Sequence, residues 1–447
     1  MPGRYWVETL GCPKNQVDSD KLEGTLLADG YSRARSAADA DLVIVNTCAF
    51  IEDARRESID VTLSLAEARK DGARLVVTGC MAERYGAELA EALPEADLVA
   101  GFGVPVTLGR KASDGQRPRM DLLNLARPRS TRPWAYVKVA EGCDRTCGFC
   151  AIPSFRGPQR SRTPESILAE VDELDVVEVV LVAQDLASYG KDRTSPGRHA
   201  ATIGTDGAAA GTAPASDRTD RGRSGIVELV RAVAARVPRV RLLYLYPSDL
   251  TDALIDAIGE TGVHYFDLSL QHVSKPHLRR MRRWGDGDRF LGRIEDIRAR
   301  MPDAAFRSNF IVGYPGETEA DHDALLEFVG AAQLDWCGLF AYSQEDGTYA
   351  AGLPDTVPAG LVAERLAEVG ELQDTITRTR RAALIGSTAE VLVDERGIAR
   401  SHREAPEIDG VIVVPEDLEP RSVLTVEITD ATGPDLEGRP VATRLAG

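Results

Sequence analysis

No stretch of this 447-residue sequence approaches the length of a membrane span. The opening Met1-Pro2-Gly3-Arg4-Tyr5-Trp6 has no long apolar segment behind it, as a secretory leader would. A cytoplasmic location is therefore expected, where cysteines serve as ligands or catalysts more often than as disulfides. The seven cysteines are an odd number, which also argues against a closed disulfide framework. Positive charge is in short supply: 53 Lys plus Arg against 70 Asp plus Glu give a formal net charge of −17. Phosphate backbones are held by clustered Lys and Arg, so a large nucleic-acid footprint is disfavoured and a basic protein partner suits the chain better. Histidine is scarce too, six in all, and none stands within 40 residues of the densest cysteine group.

That group is Cys143, Cys147 and Cys150, a C-x3-C-x2-C run in Glu141-Gly142-Cys143-Asp144-Arg145-Thr146-Cys147-Gly148-Phe149-Cys150. Iron–sulfur clusters normally take four cysteines. Three thiolates hold three irons of a cubane 4Fe–4S cluster and leave the fourth open to a small molecule. A structural zinc knuckle is the alternative, but it favours paired C-x2-C spacings and a fourth ligand nearby.

The chain reads as α/β with three parts. In the first, residues 5–10, 41–46 and 74–79 are short buried strands, with helices over 19–27, 51–68 and 82–92. This is a doubly wound parallel pattern. A Pro-, Arg- and Gly-bearing stretch over 109–133 connects it to a second alternation. There, strands are expected at 135–139, 177–182, 241–246, 265–270, 306–312 and 336–341, six βα repeats of a partial barrel. Residues 191–224 interrupt the pattern; nearly free of large apolar side chains, they read as a disordered insertion. After a helix over 359–381, β-rich runs at 388–394, 409–414, 422–430 and 439–445 suggest a small antiparallel, OB-like barrel. The expected domains are 1–125, 131–372 and 376–447.

Cys12, Cys48 and Cys80 each follow a strand of the first part. In a parallel sheet all carboxyl ends share one edge, so these three are expected to converge into a second site of three thiolates. Chance placement of small buried cysteines is the competing explanation. Cys337 lies inside a strand and is expected in the core. Arg279, Arg280, Arg282 and Arg283 read as a solvated helix face. Arg156 and Arg162 suit either a bound carboxylate or loop scaffolding.

The motif with Phe149 before the last cysteine resembles the radical S-adenosylmethionine enzymes. Three spaced cysteines, then that motif, then a small β-barrel is similar to their methylthiotransferase family. Leu10-Gly11-Cys12-Pro13-Lys14-Asn15, Val45-Asn46-Thr47-Cys48, Ile152-Pro153-Ser154-Phe155-Arg156-Gly157 and Gly313-Tyr314-Pro315-Gly316-Glu317-Thr318 carry the likeness. Within the family, Leu270-Gln271-His272 and Ala405-Pro406-Glu407-Ile408-Asp409-Gly410 resemble the branch acting on an aspartate of ribosomal protein S-12. The resemblance implies a terminal TRAM barrel and two 4Fe–4S clusters, one on Cys143, Cys147 and Cys150, the other on Cys12, Cys48 and Cys80. It implies S-adenosylmethionine as radical source and methyl donor, with Phe149, Gln184, Gln271, Arg307, Ile311 and Gly313 as cofactor contacts. Hydrogen abstraction from the β-carbon of the aspartate, sulfur insertion and methyl transfer would follow. The expected partners are S-12 and an electron donor, with no membrane, no direct tRNA substrate and a single chain.

Two other activities compete: methylthiolation of adenosine in tRNA, and a non-catalytic iron–sulfur carrier. Residues 382–447 hold 6 Arg, no Lys and 13 Asp plus Glu, a net of −7. An RNA-binding barrel needs positive charge, whereas an acidic one suits a basic ribosomal protein.

Overall fold

The computed structural model describes residues 3–106, 120–193 and 224–441. The expected insertion at 191–224 therefore lies outside the described residues except at its ends, as does part of the connection at 109–133.

The first part is a five-stranded parallel sheet of β1 (Arg4–Thr9), β2 (Ser32–Arg33), β3 (Leu42–Thr47), β4 (Arg74–Gly79) and β5 (Leu98–Val99), in the order β2-β1-β3-β4-β5. Strand β3 is buried at every position, as a parallel strand covered on both faces must be. Helices α1 (Pro13–Ala28), α2 (Glu52–Ala68) and α3 (Cys80–Ala92) connect the strands. Helix α1 starts six residues before the expected 19. Pro13 at its first position has a preset φ and no amide hydrogen to lose, so the helix begins directly behind Cys12.

The second part holds β6 (Trp134–Lys138), a short hairpin of β7 (Ala140–Glu141) and β8 (Arg160–Ser161), and then β9 (Glu178–Val182), β10 (Arg239–Leu242), β11 (Tyr265–Gln271), β12 (Ala305–Val312) and β13 (Trp336–Ala341). Strands β6-β9-β10 form one parallel sheet and β11-β12-β13 another; a parallel bridge between Leu245 and Leu268 joins them into the expected six-stranded open barrel. Side chains alternate between its faces. Val137, Val179 and Leu181 face outward with Ile167, Val171 and Val230 of the covering helices α5 (Pro164–Leu174) and α6 (Ser224–Ala234). Tyr136, Val180, Val182 and Tyr265 pack in the lumen, where Val17 of α1 and Ala405 and Ile408 of the terminal part join them. All three parts thus meet inside the barrel.

The third part follows the long helix over 359–382 and is a closed barrel of β14 (Thr388–Glu395), β15 (Ile398–Arg400), β16 (Ile412–Val413), β17 (Val423–Thr432) and β18 (Asp435–Pro440), ordered β14-β15-β16-β18-β17. The strand expected at 409–414 shrinks to two residues, and the one expected at 439–445 begins at Asp435. Strand β15 was not anticipated, and the β16–β18 pair is parallel. Residues 401–409 leave the barrel and cap the strand-start end of the larger one. There Tyr136 Oη donates to the Pro406 carbonyl at 2.8 Å and Arg241 to the His402 carbonyl at 2.9 Å. Beneath them Glu178, fully buried, pairs with Arg241 at 2.8 Å, Arg239 at 3.1 Å and Arg400 at 3.4 Å. Among the described residues, no helix is long and apolar enough to cross a membrane.

Candidate cluster sites

The edge formed by the carboxyl ends of β1, β3 and β4 gathers Cys12, Cys48 and Cys80. Cys12 is the N-cap of α1 and Cys80 the first residue of α3. Helix N-termini favour thiolates through the partial positive charge of their free amides. Burial opposes ionisation of Cys12, yet Lys14, Arg156 and the amides of Asn15 and Lys14 bring its thiol below the ordinary value. Cys48 is pushed up to about 12 by burial and by the neighbouring charges of Cys12 and Cys80. Gly11, at φ +94°, permits the approach: a Cβ there would stand 2.8 Å from Cys48 Cβ and 2.9 Å from its sulfur.

One buried side chain stitches the three cysteine turns together. Asn15 Nδ2 donates to the Leu10 carbonyl at 2.9 Å and the Thr47 carbonyl at 3.0 Å, ahead of Cys12 and Cys48. Its Oδ1 lies 3.5 Å from Cys80 Sγ. The motif contained Asn15, but spacing alone assigned it no role.

Cys143, Cys147 and Cys150 occupy the loop between β7 and the short helix α4 (Ile152–Arg156). Burial raises the Cys143 thiol to about 11 and the Cys150 thiol to about 12, and the charges of the other two cysteines add to the Cys150 shift. The loop is seated on the end of helix α8 (Lys275–Arg280): the Gly148 amide donates to the Met281 carbonyl at 2.8 Å. A Cβ on Gly148 would lie 2.7 Å from Tyr314 Oη, so glycine is required for that fit. Arg283 reaches the same loop and donates Nη1–H to Cys147 Sγ at 3.2 Å. The arginine run is therefore not simply a solvated face, which corrects the sequence reading at this residue.

Arg156 spans the gap between the trios. Its Nη2 donates to Cys80 Sγ at 2.9 Å and Asn15 Oδ1 at 2.7 Å, while Nη1 holds Glu141 at 2.9 Å and Asp18 at 3.2 Å. Lys138 pairs with the same two carboxylates. Burial works against the Glu141 charge, but Arg156 and Lys138 hold its carboxyl well below the usual range. Arg162 binds Glu170 at 2.7 Å and the Lys138 carbonyl at 3.1 Å. Both arginines hold carboxylates of this chain, which is the scaffolding alternative.

The other expected site residues divide. Gln184, after β9, donates to Glu141 at 2.7 Å, and Gln271 ends β11 at φ +72°. Ile311 and Gly313 stand at the end of β12, where Glu317 accepts the Gly313 amide at 2.6 Å, and Phe149 packs against the barrel core. These five lie toward the edge that carries the cysteine loop. Arg307 does not join them. It is the third residue of β12, and its guanidinium meets Asp267 at 3.5 Å and Asp409 of the capping segment at 3.3 Å. Cys337 packs against the core, as expected.

The donor geometry separates a cluster from a single ion. Thiolates sharing one zinc at about 2.3 Å would sit about 3.8 Å apart. Among the described residues, only His272, His277 and Glu317 bring three ligand atoms within 4.8 Å of one another; neither cysteine trio does. Neither trio is therefore gathered as one shared ion requires, whereas sulfurs bound to separate irons of a cluster stand farther apart. The His272 group is a poor cation site. The Ser274 amide donates to His272 Nδ1 at 3.1 Å, which leaves the proton of the neutral ring on Nε2, and Arg365 neutralises Glu317 at 3.0 Å.

Residues 4–101 match the family described as Uncharacterized protein family UPF0004, residues 137–329 the Radical SAM superfamily and residues 385–441 the TRAM domain. The chain is 40% identical over 466 residues to the ribosomal protein uS12 methylthiotransferase RimO of Anaeromyxobacter sp. (strain K), an alignment covering 99% of this chain and 94% of that one. It is 38% identical over 478 residues to the protein of the same name from Chloroflexus aurantiacus, covering 97% and 99%. A solved structure of the radical S-adenosylmethionine methyltransferase TsrM from Kitasatospora setae aligns with a TM-score of 0.47 at 13% identity, over 78% of this chain and 77% of that one.

Proposed function

The chain belongs to the RimO family of ribosomal protein uS12 methylthiotransferases, and we propose that it transfers a methylthio group to the β-carbon of an aspartate in uS12. It is a radical S-adenosylmethionine transferase whose cofactors are S-adenosylmethionine and two 4Fe–4S clusters. When bound, these groups supply one-electron cleavage of S-adenosylmethionine, hydrogen abstraction from an unactivated carbon, and the sulfur and methyl that replace the hydrogen.

The residues of the chain supply position. In this reading Cys143, Cys147 and Cys150 hold the first cluster and Cys12, Cys48 and Cys80 the second. Asn15 and Arg156 fix the two loops against each other. Phe149, Gln184, Gln271, Ile311 and Gly313 line the side on which S-adenosylmethionine would lie. Gln184 does so from a side chain already oriented by Glu141. Arg307 is left out of the set, because two carboxylates engage it.

The observation that carries the reading is the convergence of three far-separated cysteines on one sheet edge, joined through Arg156 to the loop of the other three. A carrier of a single cluster has no use for that link. The terminal barrel supports a protein substrate over RNA. Its exposed carboxylates, including Glu390, Glu395, Glu416, Asp417, Glu427 and Glu437, outnumber the exposed Arg396, Arg421 and Arg439. An external one-electron donor, action as a single chain and a cytoplasmic setting complete the proposal.

The test incubates reconstituted enzyme, S-adenosylmethionine and reductant with uS12, and separately with bulk tRNA. Peptide mass spectrometry is expected to find a methylthio group on one aspartate. Methylthio-adenosine without modified aspartate would sink the proposal. Replacing Cys147 with Ala is expected to abolish 5′-deoxyadenosine formation; if wild type forms none under reduction, the carrier reading wins.

A further inference from the structure

Arg145, Arg156 and Arg283 reach the cluster loops, and of these three only Arg283 has no carboxylate partner among the described residues. Arg156 is shared with Glu141 and Asp18. Arg145, over the Tyr246 ring at 3.8 Å, is bound by Asp185 at 2.6 Å and by Asp249. Arg283 covers Tyr246 from a second position, 4.3 Å from the ring centroid. Its other contacts are Cys147 Sγ and the Ser269 carbonyl. No ion pair involves it among the described residues, and its buried Nε has no acceptor.

The backbone is built to place it there. Helix α8 ends with the Arg283 amide donating to the Leu278 carbonyl at 2.8 Å and the Arg282 amide to the Arg279 carbonyl at 3.0 Å. Arg282 stands at φ +55°, a conformation that disfavours a residue with a Cβ. This reversal turns Arg283 back from the helix axis toward the cysteine loop. That loop is itself bonded to the helix end through the Gly148 amide and the Met281 carbonyl.

We propose that Arg283 is a positioning residue for the cluster on Cys143, Cys147 and Cys150, and that its hydrogen bond and uncompensated charge at Cys147 raise that cluster's reduction potential. Net charge and hydrogen bonds to the ligand sulfurs are two of the terms that set such potentials. A cationic donor on a thiolate favours the form carrying one more electron. The inference rests on reading this trio as cluster ligands.

The test uses the full chain with Cys12→Ala, Cys48→Ala and Cys80→Ala, so that one cluster remains. Iron content comes first: about four irons per chain is expected, and no iron would refute the ligand reading itself, separately from the role of Arg283. The midpoint potential is then measured by electron paramagnetic resonance in a mediated titration without S-adenosylmethionine. Arg283→Met is expected to reduce at least tenfold less readily, a fall of about 59 mV for a one-electron couple. Arg283→Lys, which keeps the charge, is expected to fall between Met and wild type. If Arg283→Met does not retain iron, Arg283→Gln is titrated instead and should shift in the same direction. A potential that stays at the wild-type value, or rises, in the iron-loaded neutral variant overturns the proposal. A role confined to binding S-adenosylmethionine gives that unchanged value.

Discussion

Asn15 offers a way to remove one cluster and leave the other. Its side chain is fully buried and its Nδ2 supplies the Leu10 and Thr47 carbonyls at 2.9 and 3.0 Å. Asn15→Ala leaves two carbonyls without that donor, at about 1–2 kcal/mol each. A loss of about 2–4 kcal/mol is a large part of ordinary domain stability but less than most of it. The sheet is expected to survive while the turns bearing Cys12, Cys48 and Cys80 lose their common anchor. Iron analysis should fall from about eight to about four per chain, the remainder being the cluster at Cys143, Cys147 and Cys150. Formation of 5′-deoxyadenosine should continue, and methylthiolated product should be lost along with the second cluster's iron. Asn15→Asp sharpens the test. It keeps an acceptor for Arg156 but cannot donate to either carbonyl, so it should lose the same irons. Full iron and undiminished product in both variants would refute the reasoning.

Burial holds His272 down to about 3 and His277 down to about 4. The unfolded chain takes up these protons near pH 6.5 while the folded chain refuses them, so this stability is complete above about pH 6.5 and lost as pH falls. At pH 5 each histidine costs about 2 kcal/mol, and His277→Gln should show a shallower fall in urea midpoint between pH 7 and 5; an identical fall would contradict the assignment. Glu178→Gln removes the fully buried carboxylate shared by Arg239, Arg241 and Arg400, leaving Arg400 only Asp394 and Arg239 only the exposed Glu390, and should cost about 3–5 kcal/mol in denaturant melts, with an unchanged midpoint as the contrary result. Gly11→Ala adds a Cβ 2.8 Å from that of Cys48 at a φ of +94°, and should leave about four irons per chain. Wild-type iron content there would show that the turn can give way.

The convergence of Cys12, Cys48 and Cys80 was legible because a parallel sheet puts every strand's carboxyl end on one edge, so three local patterns became one place. The apolar cores of β3 and β4 were legible for the same reason, since strands covered on both faces are continuous apolar runs. Arg283 was not. Helix α8 is too short to show a period, and its chain reversal falls on Arg282, where no glycine announces a left-handed residue. The place of Arg307 was not legible because it depends on register: three residues into β12, it stands opposite Asp267 and not at the strand's end. Strand β15 was missed because Arg400 points inward to Glu178 and Asp394, breaking the alternation that marks a strand.

The region between the two trios is also something the sequence did not disclose, and its charge explains how it survives burial. Lys138 and Arg156 face Asp18 and Glu141, two cations against two anions, and the pairs share partners in both directions. The set is neutral before any thiolate is counted, so it stands whether or not a cluster is loaded. Apolar side chains of the same volume would serve stability as well or better. They would not fix a spacing, because packing tolerates small slides that a guanidinium held at four acceptors does not. Arg156 meets Cys80, Asn15, Glu141 and Asp18 at once. Glu141 stands two residues before Cys143, so a shift of either cysteine loop must break a buried charged bond. The distance between the two cysteine trios is thereby fixed by these ion pairs as well as by the apolar packing of Val17 in the barrel lumen.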